Sequence, residues 1–244
     1  MLNKFVILTI VLFSSTILIQ GQIYPYWFIN QGEINCCNYS VGLAKLGYYV
    51  DSAFINAKRE AILNYIRYSE TKISGGQAFW NTEAGKYFLS NRYREEIDTN
   101  KYFALKSEFK TIDSVICKDF VAVLISKDDC NDNIILKRIN IDEIKPDWVI
   151  NFPNDQNYYY DIGCSQYYFY ELSSWLTAEK QARFGIAKQL GINIKSLQKV
   201  DELEGQEIQN DEYSVNIKNM EVVSRYKDNI NKIFYVLLRA KIKQ

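Results

Sequence analysis

The sequence contains no histidine, three prolines and two methionines, and its 29 basic side chains balance 29 acidic ones. The missing histidine excludes every Ser-His or Cys-His nucleophile pair and every His-ligated zinc site. Acid–base work near neutral pH would fall to a Glu, Asp, Lys or Tyr with a strongly shifted pKa. That argues against an enzyme and leaves carboxylate-only hydrolysis as the catalytic alternative. A chain without net charge has no electrostatic footprint for a phosphate backbone, so nucleic acid is not an expected partner. No apolar run of spanning length follows the first 21 residues.

The amino terminus reads Met1-Leu2-Asn3-Lys4, an apolar run from Phe5 to Ile19, then Gln20-Gly21. One positive charge, about fifteen mostly apolar residues and a small residue to end on predict a secretory signal over 1–21, cleaved after Gly21. The mature chain is then expected to be periplasmic, outer-membrane-associated or secreted. Export permits disulfides. Five cysteines, Cys36, Cys37, Cys117, Cys130 and Cys164, leave at least one unpaired within the chain. Their spacing fits no zinc or redox motif, and the pairing stays open.

What the sequence does contain is a repeat. Pro25-Tyr26-Trp27 returns as Pro146-Asp147-Trp148, Ile29-Asn30 as Ile150-Asn151, and Tyr39, Gly42, Tyr49, Ser52, Ala57, Ala61 and Ile73 as Tyr160, Gly163, Tyr170, Ser173, Ala178, Ala182 and Ile194. All share one offset of 121 without a gap. Those eleven identities over residues 25–73 compare with about three or four expected by chance. The ends also correspond, Phe120–Ile125 with Phe234–Arg239, at an offset of 114. The expected division is therefore a first repeat over 22–127, a polar linker over 128–145 and a second repeat over 146–244.

Each repeat reads as α+β, a β-α-β-β unit with one long helix packed on an antiparallel sheet. In the second, Tyr158–Gly163 is a short strand and Glu171–Leu190 a helix with Trp175, Ala178, Ala182, Ile186 and Leu190 on one stripe, stopped at Gly191. Ile192 and Ile194 open the next strand, Asp201–Glu212 is a hydrophilic link, and Tyr213–Tyr226 and Ile233–Ile242 are strands joined by a turn at Lys227–Asn231. In the first, a helix runs from Val50 to Ser69, Gly75–Asn100 is an irregular or short helical insertion, and strands lie near Tyr102–Ile112 and Phe120–Ser126. The paired alanines would bring each helix close to its sheet and make room for Trp27 and Trp148 in equivalent places.

Pro146-x-Trp148, then Tyr159-Tyr160-x-Ile162-Gly163-x-Ser165, a helix with Ala178-x-x-x-Ala182-Arg183 and a closing Tyr235-Val236-Leu237 together resemble the LPP-twenty lipoprotein family. The first half, keeping Pro25, Trp27, Tyr39, Gly42, Ala57 and Ala61, resembles a diverged second copy. The resemblance implies tandem dodecin-like domains in a bacterial cell-envelope protein. It brings no enzymatic activity, cofactor or metal, so the motif positions read as structural. Gln22 stands where that family carries its lipid-accepting cysteine. The expected role is a non-catalytic structural or interaction protein with a protein partner or itself as partner. The alternatives are a carboxylate-dependent hydrolase or a glycan-binding module outside the cytoplasm.

Three other candidates have plain readings. Tyr158-Tyr159-Tyr160 and Tyr167-Tyr168-Phe169-Tyr170 would serve as a platform for glycan or peptide, but alternation along a strand favours core packing and sheet cover. Asp128, Asp129 and Asp132 lack the spacing of a calcium loop and read as a solvated turn. Asp201, Glu202, Glu204 and Glu207 read as a charged loop.

Overall fold

The computed structural model describes residues 23–36, 38–82, 85–128, 134–141, 144–193, 197–203 and 206–242. The expected signal over 1–21, Cys37, Asp129, Cys130, Asp132, Ile194 and Glu204 lie outside the described residues.

Each half begins in the same way. β1 (Ile23–Pro25) leads into a one-turn helix, α1 (Tyr26–Ile29), and the second half opens with α4 (Asp147–Ile150). Pro25 (φ −64°) and Pro146 (φ −65°) stand immediately before these turns. A fixed φ in that range and no N–H to satisfy suit proline to a helix start.

The central units also match. In the first, β2 (Tyr39–Lys45) runs into α2 (Val50–Ser69), and the unit closes with β5 (Lys110–Ile116) and β6 (Phe120–Ser126). In the second, β8 (Tyr158–Gln166) runs into α5 (Glu171–Asn193), and β11 (Met220–Asp228) and β12 (Ile233–Lys241) close it. The antiparallel orders are β2-β6-β5 and β8-β12-β11, with the last strand central in both. Gly42 pairs with Val123 and Gly163 with Val236, and both penultimate strands carry a bulge, between Thr111 and Asp113 and between Val222 and Ser224.

That register corrects the offset expected for the closing strands. Val123 stands opposite the first glycine and Val236 opposite the second, so the strands correspond at 113 rather than 114. A slip of one residue exchanges the two faces of a strand. With it, Val121, Val123 and Ile125 pack with α2, while Phe234, Val236 and Leu238 share a core with Trp175, Ala178 and Ala182 of α5.

Both glycines sit against their helix. A Cβ on Gly42 would lie 2.1 Å from the Ala57 carbonyl oxygen and 2.2 Å from the Ala61 nitrogen. On Gly163 the distances are 1.8 Å to the Ala178 oxygen and 2.4 Å to the Ala182 nitrogen. Only a hydrogen fits there, and the small alanine side chains let the helix backbone approach that closely. The indoles differ: Trp27 is fully buried, but Trp148 is only half-buried. α1 is covered by β11 of the second half, whereas α4 leaves Ile150 on the surface.

The middle of each half departs from expectation. Gly75–Asn100 is mostly a long hairpin of β3 (Glu70–Thr82) and β4 (Gly85–Glu96), with the short α3 (Lys101–Leu105) after it. α5 passes Gly191 and ends at Asn193. The stretch read as a hydrophilic link belongs to β9 (Leu197–Leu203) and β10 (Gln206–Lys218). The expected strand Tyr213–Tyr226 is two strands, divided at Asn219, whose φ is 53°. Asparagine tolerates this left-handed conformation better than most residues. The halves then share a sheet of order β4-β3-β10-β9, in which β3 and β10 pair from Glu70 opposite Lys218 to Asn81 opposite Glu207. The segment read as a linker contributes β7 (Arg138–Asn140), paired with β1.

Candidate functional site

A dense cluster of buried ionisable side chains lies in the seam between the halves. α5 places Glu171 and Glu179 two turns apart, on one helical face. Arg183 follows Glu179 by one turn, and β11 supplies Arg225 and Lys227. All five are buried. Burying charge is tolerated only with close, hydrogen-bonded partners, and both halves supply them.

Around Glu179, the Arg225 Nη2 lies 2.9 Å from Oε2, the Arg183 Nη1 lies 3.1 Å from Oε1, and the Tyr68 hydroxyl donates to Oε1. Arg225 also donates through Nη1 to the Phe28 carbonyl and to Gln31 Oε1, each at 2.8 Å, and lies 4.5 Å over the Phe28 ring. Arg183 reaches Glu95 at 2.9 Å, and Arg67 approaches the same carboxylate at 3.4 Å. Burial alone would raise the Glu179 pKa, but the Arg225 and Arg183 guanidiniums and the Tyr68 hydrogen bond outweigh it and hold it below the ordinary range.

Glu171 forms the second node. It accepts from Lys227 Nζ at 2.9 Å, from Trp175 Nε1 at 3.1 Å and from the Tyr24 hydroxyl. Its backbone N–H is bound at 2.5 Å by the Asp119 carboxylate, which also accepts from the Leu172 N–H at 3.3 Å. A turn of the first half thus caps the long helix of the second, where negative charge is favoured.

The other acids are arranged differently. Asp161, on β8, sits where a Cβ on Gly185 would fall, with Gln189 donating to the neighbouring Tyr160 carbonyl at 2.8 Å. Burial pushes the Asp161 carboxyl up to about 6. Glu70 and Glu96 line an open hollow of about 440 Å³ on the shared sheet. Hydrogen bonds from Asn216 and Lys218 hold Glu70 below the ordinary carboxylate range. In the acidic stretch read from the sequence, Glu202 stands opposite Glu207 in the register of β9 and β10. Asp128 is exposed and accepts from Asn38 at 3.0 Å. Among the described residues no group of three or more His, Cys, Asp or Glu is placed to hold a metal.

A second hollow of about 250 Å³ opens beside the seam, lined by Asn38, Tyr39, Ser40, Tyr65, Tyr68 and Glu221 among others. Ser40 is buried, and its hydroxyl has no hydrogen-bond partner among the described residues.

The motif residues named from the sequence divide. Gly42, Ala57 and Ala61 meet at one helix–sheet contact, and Gly163, Ala178 and Ala182 at its counterpart. Pro25 and Pro146 start their turns. Trp27 donates to Asp113 at 2.7 Å and Tyr39 to the Gln31 carbonyl at 3.0 Å, while Tyr160 is half-buried. Of the aromatic runs, Tyr158–Tyr160 are all half-buried; Tyr159 packs against the core, while Tyr158 and Tyr160 lie ring to ring at 6.1 Å. Tyr167–Tyr170 do not alternate into the core; they form an exposed turn. Cys36 is disulfide-bonded, and Cys117 and Cys164 are free thiols. The seam ions were not singled out from sequence, because the partners of Arg225 lie up to 197 residues away. No helix among the described residues is long and apolar enough to cross a membrane. Comparison with protein families, curated proteins and solved structures finds no match to the chain.

Proposed function

We propose that this chain is a non-catalytic structural or interaction protein, exported to the cell envelope or secreted, and similar in kind to LPP-twenty lipoproteins. The observation that carries the reading is the state of Glu171 and Glu179. Each is enclosed by fixed donors, Lys227 and Trp175 on one, Arg183 and Arg225 on the other. Carboxylates held in this way lock two halves together, and most of their acceptor sites are taken up by fixed donors, which supports a structural role over proton transfer. A disulfide at Cys36 suits an oxidising compartment. The product is one continuous body whose sheets end in edge strands, to which a protein partner or a second copy would add.

Covalent cross-linking of a carboxy-terminally tagged chain in cells, followed by envelope fractionation, tests the reading. A discrete cross-linked species in the envelope or secreted fraction is expected. A cytoplasmic monomer without cross-links would overturn it.

The hollow lined by Ser40, whose hydroxyl has no partner among the described residues, favours one second reading, a small polar ligand such as the end of a glycan. A glycan array binding the wild type and not Ser40→Val would establish it.

A further inference from the structure

One end of the molecule is built from turns of both halves. The β2–α2 turn carries Tyr48 and Tyr49, and the β8–α5 turn carries their equivalents at the 121-residue offset, Phe169 and Tyr170. Both pairs stack edge to face, with centroids at 5.1 and 4.9 Å. Contacts hold the two turns side by side. Lys45 Nζ lies 3.9 Å from the Tyr170 ring, and the β5–β6 turn bonds to both, through the Asp119 carbonyl to Leu46 and its carboxylate to Glu171. The β11–β12 turn joins the same end, since the Lys232 carbonyl accepts from Tyr167 N–H and Asn229 Oδ1 from its hydroxyl.

This end is apolar where it is most exposed. Tyr48 is 93% exposed, Phe169 90%, Ile230 78% and Tyr49 73%. Four large side chains on three turns in that condition are unusual for a surface facing water alone. Exposed charge on these turns and their flanks comes from Lys45, Lys118 and Lys232 against Asp51, because Asp119 is engaged in capping α5.

We propose that this end docks on the surface of an anionic lipid bilayer. Rings on these exposed turns enter the headgroup region individually, as tyrosine and phenylalanine do at membrane interfaces, while flanking lysines meet lipid phosphates. A glycan platform would instead present ring faces, and here each pair turns one ring edge to the face of the other. The duplication doubles the contact, since two equivalent turns engage together. The surface goes beyond the scaffold reading and stands on its own observations.

Flotation of the full chain with vesicles of phosphatidylglycerol and phosphatidylcholine in equal parts tests it, with pure phosphatidylcholine beside it. The wild type is expected to float with the anionic vesicles and less with the neutral ones. Tyr48→Ser combined with Phe169→Ser is expected to weaken partition by about tenfold or more. Both side chains are exposed, so the variant keeps its fold, which circular dichroism verifies. Absence of flotation, flotation unchanged in the double variant, or capture of an envelope protein through this end without vesicle binding would each overturn the proposal.

Discussion

Gly163 lies directly beneath Ala178, so close that a methyl group on the glycine would come within 1.8 Å of the alanine carbonyl oxygen. Gly42 and Ala57 stand in the same relation 121 positions earlier, at 2.1 Å. A contact in which backbone meets backbone fixes the helix on its sheet in both halves, at the point where the first strand crosses the alanine pair.

Replacing either glycine by alanine forces helix and sheet apart. Gly163→Ala and Gly42→Ala are each expected to destabilise the chain by about 1–3 kcal/mol or more, as over-packed cores do. Urea unfolding at constant m-value measures this. Gly47→Ala, at a position with open space around the site, serves as the control with a far smaller effect.

Breaking the seam has a larger effect. Arg225→Met leaves Glu179 with Arg183 and Tyr68 and removes the hydrogen bonds to Phe28 and Gln31. Loss of one partner from a buried ion pair is expected to lower stability by about 3–5 kcal/mol. Chemical denaturation gives the value. In a double-mutant cycle, Glu179→Gln is expected to add much less on the Arg225→Met background than alone.

Asp161 introduces a pH dependence of defined sign. Burial raises its carboxyl to about 6, against about 4 in an unfolded chain. The folded chain therefore binds the proton more tightly, and stability falls as pH rises from about 4 to about 6. Asp161→Asn is expected to remove that slope, so its stability relative to the wild type improves between pH 4 and 7. A constant difference across the range would contradict the assignment.

The thiols are separable by alkylation under native, non-reducing conditions. Cys164 is exposed and is expected to react first. Cys117 is buried, and burial pushes its thiol up to about 12, so it stays protected until unfolding. Cys36 is expected to become reactive only after reduction. Peptide mass spectrometry reads all three.

How much of this was legible in the sequence depended on whether the signal was local. The α+β class and the helices over Val50–Ser69 and from Glu171 onward follow from apolar residues three and four apart. The glycine–alanine contacts were visible as a repeat, though not as contacts. The closing strands were misaligned by one residue because an apolar run such as Phe120–Ile125 carries no face of its own. Its register comes from pairing with β2. The β3–β4 and β9–β10 arms escaped because Gln, Asn and Glu dominate stretches such as Gln206–Glu212, leaving no period of two to find. Glu171, Glu179 and Arg225 looked like ordinary surface charges, since nothing near them in the chain marks them as buried.

Scanning calorimetry of the whole chain tests most directly whether the two halves form one body through the ionic seam. If Glu171, Glu179, Arg183, Arg225 and Lys227 bind the halves into one cooperative unit, unfolding is a single transition whose calorimetric and van't Hoff enthalpies agree. Two resolved transitions in the wild type would contradict that account.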